Sequence, residues 1–137
     1  MTKKTITLEY KGELSCEMTH VRSGSTWITD APVDNNGLGR SFSPTDALAA
    51  SVGSCYVTIM GITAQKHGID MEGASMTIGK YMYKNPRRIG RITMRLSMPD
   101  KNYSPREKEI LIRAGSSCPV SYSLHPDVII DFQIDWP

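Results

Sequence analysis

The sequence predicts an α+β domain in which helices pack on an antiparallel sheet. Three observations carry this. Short segments of alternating polar and apolar residues, parted by Lys11-Gly12 and Ser23-Gly24, fill the first thirty positions. A long stretch from Ser43 to Gly68 repeats its apolar residues every three or four positions. The last sixty residues then read as hairpin, helix and strand in that order.

Thr5 to Tyr10, Leu14 to Val21 and Thr26 to Thr29 are the three opening strands, joined by tight turns into a meander. In the second of them Leu14, Cys16, Met18 and His20 share one face. Asp30 to Phe42, rich in Asn, Asp and Gly, is the loop before the long helix. It reads as a surface connection or as a flexible wall beside a site.

Ser43 is placed to cap the long helix, Pro44 to begin it and Asp46 to sit in its first turn. Leu48, Val52, Cys55, Ile59 and Ile62 line one face, and Gly68 ends the helix. The other faces carry Ala47, Ala49, Ala50, Gly53, Gly61 and Ala64, so the helix is expected to be buried on most sides. Ala74 to Tyr83 and Ile89 to Met98 form a hairpin, with Ile92, Met94, Leu96 and Met98 on its buried side. Ser104-Pro105 repeats the cap-and-proline start, opening a helix over Arg106 to Ser116 with Ile110, Leu111 and Ala114 inward. Val128 to Ile134 is the final strand.

At 137 residues the chain is expected to be one domain spanning 1–137, able to fold without a disulfide or metal staple. Apolar content of 39% against 22% charged residues argues against disorder. A net charge of +2 is too small to make nucleic acid or an anionic membrane the main partner. No apolar run approaches the roughly 20 residues that span a bilayer, and MTKKTITLEYKG lacks a signal peptide's apolar stretch. A cytoplasmic location is expected, where three cysteines are free, catalytic or metal-bound rather than a disulfide framework.

The chemistry therefore rests on thiols. Cys55 lies midway along the long helix, as a small packed residue or as a nucleophile. Cys118 stands before Pro119, which makes it the N-cap of a short third helix running towards His125. A thiolate there is stabilised by the partial positive charge of the helix start, although the residue could also serve only as a cap. Cys16 and His20 point the same way from one strand, but there is no second nearby pair to complete a zinc site, and no metal is expected. Arg22 and Asp46 are the candidate charges, an arginine to favour a thiolate and a carboxylate to orient it. Asp46 is nine residues before Cys55, roughly 13 Å along an ideal helix, so it cannot touch that sulfur within its own helix. If either charge serves the thiol, one or both arrive from a second chain.

Three segments, FSPTDALAASVGSC, the following YVTIMGITAQKHGI and the late SSCPVSYSLHP, resemble the OsmC/Ohr family of osmotically inducible and organic-hydroperoxide-resistance proteins. THVRSGSTWITDAPVDNNG is similar to the lead-in of an OsmC-like subgroup. The resemblance implies antiparallel sheets around a long central helix, in an intertwined homodimer. It also implies a thiol peroxidase in oxidative stress defence. Cys55 would attack the peroxide and become a sulfenic acid, and Cys118 would resolve it to a disulfide. A dithiol such as a lipoyl group, brought by a reductant protein, would restore both thiols, with no bound cofactor. Characterised members carry Glu directly after the motif proline, where this chain has Thr45 followed by Asp46. Arg22 corresponds to the family's activating arginine by its place at the end of an early strand, and Arg40 is a possible substitute. The alternative function is a binding module for a small apolar or electrophilic ligand, with Tyr56, Met60, Met94 and Met98 lining its pocket.

Overall fold

Alternating side chains build the opening strands where the sequence places them. A computed structural model, describing residues 3–137, has β1 at Ile6–Gly12, β2 at Ser15–His20 and β3 at Thr26–Asp30. They form an antiparallel sheet in the order β1-β2-β3, with Leu8 opposite Met18 and Met18 opposite Trp27. The first turn differs from the expectation. Gly12 and Ser15 still pair, so the hairpin closes on the two residues Glu13 and Leu14, at φ 52° and 62°. Two positive φ values in a two-residue loop match the twist of the flanking strands, a place usually taken by Asn-Gly. Leu14 therefore leaves the strand face assigned to it and stands half exposed.

These strands belong to one of two compact units, which reaches to Leu48; the other is Ala49–Pro137. The loop after β3 is organised by Asp30, which is 2% exposed. Its carboxylate accepts the backbone N–H of Arg40 at 2.8 Å and that residue's Nε and Nη2, each at 3.0 Å. A single 3-10 turn at Val33–Asn35 lies within the loop.

Helix α1 runs Pro44–Lys66, with Gly68 just beyond it in the left-handed conformation. Its buried residues are Ala49, Val52, Gly53, Tyr56, Met60 and Ala64. The periodicity was expected, but the phase is shifted. Leu48 and Ile62 are 40% and 47% exposed, and α1 is open along that side. Ala49, Gly53 and Ala64 face inward beside Val52, Tyr56 and Met60, and at Gly53 the sheet comes close. A Cβ built on Gly53 would lie 2.5 Å from Ile78 Cδ1 and 2.9 Å from Met76 Sδ. By length and composition α1 is also apolar enough to cross a bilayer, contrary to the sequence reading, yet its inward residues pack in the core clusters below.

The second unit continues with β4 at Ser75–Tyr83, β5 at Arg88–Ser97, α2 at Pro105–Gly115, α3 at Pro119–Tyr122 and β6 at Ile129–Asp135. Strands β4 and β5 are antiparallel, but β5 and β6 are parallel, so the sheet is mixed rather than antiparallel. The reason is the connection: α2 and α3 carry the chain back to the start of β5, the long crossover that parallel pairing needs. Ile92, Met94, Leu96 and Met98 are buried as expected. They divide between two apolar clusters. One gathers Ala49, Val52, Tyr56, Ile89, Ile92, Met94 and Cys118. The other gathers Met60, Ala64, Ile69, Leu96, Met98 and Leu111.

Candidate functional site

Cysteine is a small apolar residue until something draws out its thiolate. Cys118 lies in the first cluster, fully buried, at the point where the chain leaves α2 and starts α3. Pro119 fixes the first helical φ, and Cys118, extended at φ −69° and ψ 113°, is the N-cap. Its Sγ accepts the backbone N–H of Ser121 at 3.3 Å. The Ser121 hydroxyl donates back to the Cys118 carbonyl at 2.9 Å, closing the turn.

Cys55 is half-buried on α1 and packs against the same cluster. Its thiol neighbours the Cys118 thiol and the Val120 N–H. The first turn of α3 thus sets the Ser121 amide on Cys118 and the Val120 amide near Cys55. Burial pushes the Cys55 thiol up, and the neighbouring Cys118 adds to the rise; the Val120 N–H works against both by stabilising the thiolate. Both thiols are free. Tyr56, the next residue on α1, is buried with its ring edge on Phe132, centroids 5.0 Å apart. Its phenol reaches towards Ser121, and burial pushes its pKa up.

The other sequence candidates are placed differently. Asp46 serves the start of α1: its carboxylate accepts the Ser43 N–H at 3.0 Å, and Ser43 Oγ accepts the Asp46 N–H at 3.0 Å. This is a capping box with Asp in the usual Glu position. Arg22 stands exposed in the turn after β2. Arg40 forks onto Asp30 and reaches Glu13 at 3.3 Å, and it holds the Asp30 carboxyl below the usual carboxylate range. These three line a cavity of about 410 Å³ in the first unit, with Lys11, Ser15 and Ile28. Cys16 is half-buried on β2, and His20 Nδ1 pairs with Ser23 Oγ at 2.6 Å. Among the described residues no three His, Cys, Asp or Glu side chains gather as metal ligands. Met60 and Met98 fill one cluster, Tyr56 and Met94 the other, and both Met60 and Met94 are fully buried.

Sequence reasoning missed the two amides of α3. Only that of Ser121 had a signal, in its spacing from Cys118, since an N-cap side chain reaches the N–H groups two and three positions on. The Asp30–Arg40 fork carried no such signal, because ten residues of loop separate its ends.

A model of the OsmC-like protein family matches residues 37–133. A solved structure from Psychrobacter arcticus 273-4, named for a proposed osmotic stress induced and detoxification response protein, is 36% identical. The match covers 98% of each chain with a TM-score of 0.93. An organic hydroperoxide resistance protein OsmC from Legionella pneumophila is 17% identical, with 98% of this chain and 99% of that one covered at a TM-score of 0.73. The organic hydroperoxide resistance protein OhrB of Bacillus subtilis is 15% identical, with 96% and 98% covered at 0.65. These last two likenesses are of fold. Comparison with curated protein sequences gives no match.

Proposed function

This chain belongs to the OsmC-like family, and from that premise we propose that it is a thiol-dependent peroxidase that reduces organic hydroperoxides. The observation that carries the reading is the meeting of Cys55 and Cys118 over the first amides of α3. The half-buried Cys55 is the one that a small peroxide reaches, and the fully buried Cys118 waits behind it.

The Cys55 thiolate attacks one oxygen of the hydroperoxide, and the O–O bond breaks. The alkoxide takes up a proton and leaves as an alcohol, while Cys55 keeps the other oxygen as a sulfenic acid. The Cys118 sulfur then attacks the Cys55 sulfur, water leaves, and a disulfide forms. A dithiol reductant returns both residues to thiols. The Val120 N–H lowers the cost of the attacking thiolate in a site whose burial raises it. Arg22 or Arg40, with Asp46, is the family's expected source of charge at the thiol. In this chain Asp46 and Arg40 already hold partners, Ser43 and Asp30.

A second copy of the chain belongs to this reading. Ile6, Leu8, Tyr10 and Trp27 are 46–62% exposed on one face of the β1-β2-β3 sheet, and Leu48 and Ile62 are open on α1. Apolar area of that extent is what an intertwined homodimer would cover. Peroxide consumption driven by a dithiol tests the reading. Turnover that disappears in Cys55→Ser supports it. Absence of turnover in the parent protein with several hydroperoxides, together with retained binding of an apolar ligand, would favour the binding module.

A further inference from the structure

The hairpin of β4 and β5 carries a charge that the thiol chemistry does not use. From Lys80 to Arg95 the sequence has six cationic residues and no acid, in a chain of net charge +2, so the remainder sums to −4. Lys84 and Arg88 stand exposed at its turn. Arg91 and Arg95 both lean on one carboxylate, Asp131, on the sheet face turned away from the core. Two guanidiniums sharing one acid leave a net positive charge, and the buried Nε of Arg91 has no hydrogen-bond partner. Tyr81 and Tyr83 are 52% and 44% exposed on the same strand pair, with Arg91 lying over the Tyr81 ring at 5.9 Å.

The opposite face of this hairpin backs onto the cluster that holds the thiols. Ile89 and Ile92 of the hairpin lie in the same cluster as Cys118. Arg88 reaches Asp127, at 3.7 Å, in the loop that follows α3. Each turnover leaves a disulfide that only an outside dithiol can reopen, and a protein dithiol has to dock before sulfur meets sulfur.

Resting on the peroxidase reading, we propose that the β4–β5 hairpin is the docking surface for the reductant, a protein that presents its dithiol beside an acidic patch. Opposite charge concentrates such a partner and speeds encounter, an effect that salt removes. The exchange balances without another reactant. One partner sulfur attacks the Cys55–Cys118 bond, its second sulfur displaces the first, and the two protons and two electrons of the partner dithiol end on Cys55 and Cys118.

The probes are two synthetic Cys-Gly-Pro-Cys peptides, one flanked by glutamates and one by lysines. Each is mixed with peroxide-oxidised full-length protein at low salt. The glutamate peptide is expected to reduce the protein at least about tenfold faster, an advantage lost in about 0.3 M salt and in Lys84→Gln/Arg88→Gln. The equal charge loss Lys3→Gln/Lys4→Gln should leave it in place. Equal rates for the two peptides, or an advantage unchanged in the hairpin variant, would overturn the proposal. A second arm needs no disulfide: serine-for-cysteine versions of both peptides are titrated onto the reduced protein by fluorescence anisotropy. Tighter binding of the acidic one, lost in the hairpin variant, supports the docking surface even if peroxide turnover is absent. Tighter binding of a single-stranded 20-nucleotide DNA than of the acidic peptide would overturn it in favour of a nucleic-acid surface.

Discussion

Helices α2 and α3 begin in the same way. At α2, Ser104 is extended, Pro105 follows, and the Ser104 hydroxyl accepts the Glu107 N–H at 3.1 Å. At α3, Cys118 is extended, Pro119 follows, and the thiol sulfur accepts the Ser121 N–H at 3.3 Å. The backbone work is the same, three residues ahead in both cases. The surroundings are not. Ser104 is exposed, and its box is completed by the Glu107 carboxylate, which accepts the Ser104 N–H at 2.8 Å. Cys118 is sealed in a core, and its neighbour is a second thiol, Cys55. A capping position is thus turned from a piece of local stability into half of a redox pair by burial and one facing side chain.

That contrast can be broken at several points. The largest effect belongs to the sulfur that has no capping duty. Cys55→Ser should lower dithiol-driven peroxide turnover at least about a thousandfold, because an alcohol there lacks an accessible anion. Near-normal rates would move the chemistry elsewhere.

Cys118→Ser separates the two duties of the cap. Serine can still accept the Ser121 N–H, so thermal unfolding should move little. Turnover should fall at least about tenfold, with oxidised Cys55 trapped as the sulfenic acid by a dimedone adduct. If the variant instead unfolds readily and its residual fold still turns over, Cys118 is a structural residue.

Acidity sharpens the comparison further. Burial and the neighbouring thiol raise the Cys55 pKa, so near neutrality the sulfur is mostly protonated in the folded protein. Its oxidation by peroxide should accelerate by up to about tenfold per pH unit through the neutral range, and level off only above the ordinary thiol range near 8.5. A rate already flat at pH 6 would mean a thiolate stabilised by more than the Val120 amide.

The smallest effect lies at the other cap. Ser104→Ala should cost about 1 kcal/mol, lowering the melting temperature by a few degrees without touching turnover. Ser104→Cys goes further, since it supplies a capping sulfur with no partner thiol. That sulfur should show no preferential reaction with hydroperoxide in competition with Cys55, as judged by peptide mass spectrometry.

The caps are also where the sequence was most legible. Ser43-Pro44, Ser104-Pro105 and Cys118-Pro119 each announced a helix start, because a proline that lacks an N–H fits only there or in a turn. The alternation of Ile92, Met94, Leu96 and Met98 likewise marked the buried side of β5. What stayed hidden depends on spacing in three dimensions. Small residues on every side of α1 left its phase open, and the close approach of Ile78 to Gly53 decided it. The parallel pairing of β6 follows from how the chain returns through α2 and α3, which periodicity does not record. At the site, the two cysteines and the cap were readable from residue type and proline position. The amide of Val120 over Cys55 was not, since its partner lies 65 positions away.

The central claim concerns two sulfurs and one bond between them. Protein treated with a stoichiometric organic hydroperoxide, digested without reduction and mapped by mass spectrometry, should yield the Cys55 and Cys118 peptides joined and lighter by two hydrogens, with Cys16 still a free thiol. Recovery of both peptides as free thiols, or of Cys55 driven to sulfinic acid beside an untouched Cys118, would contradict the account.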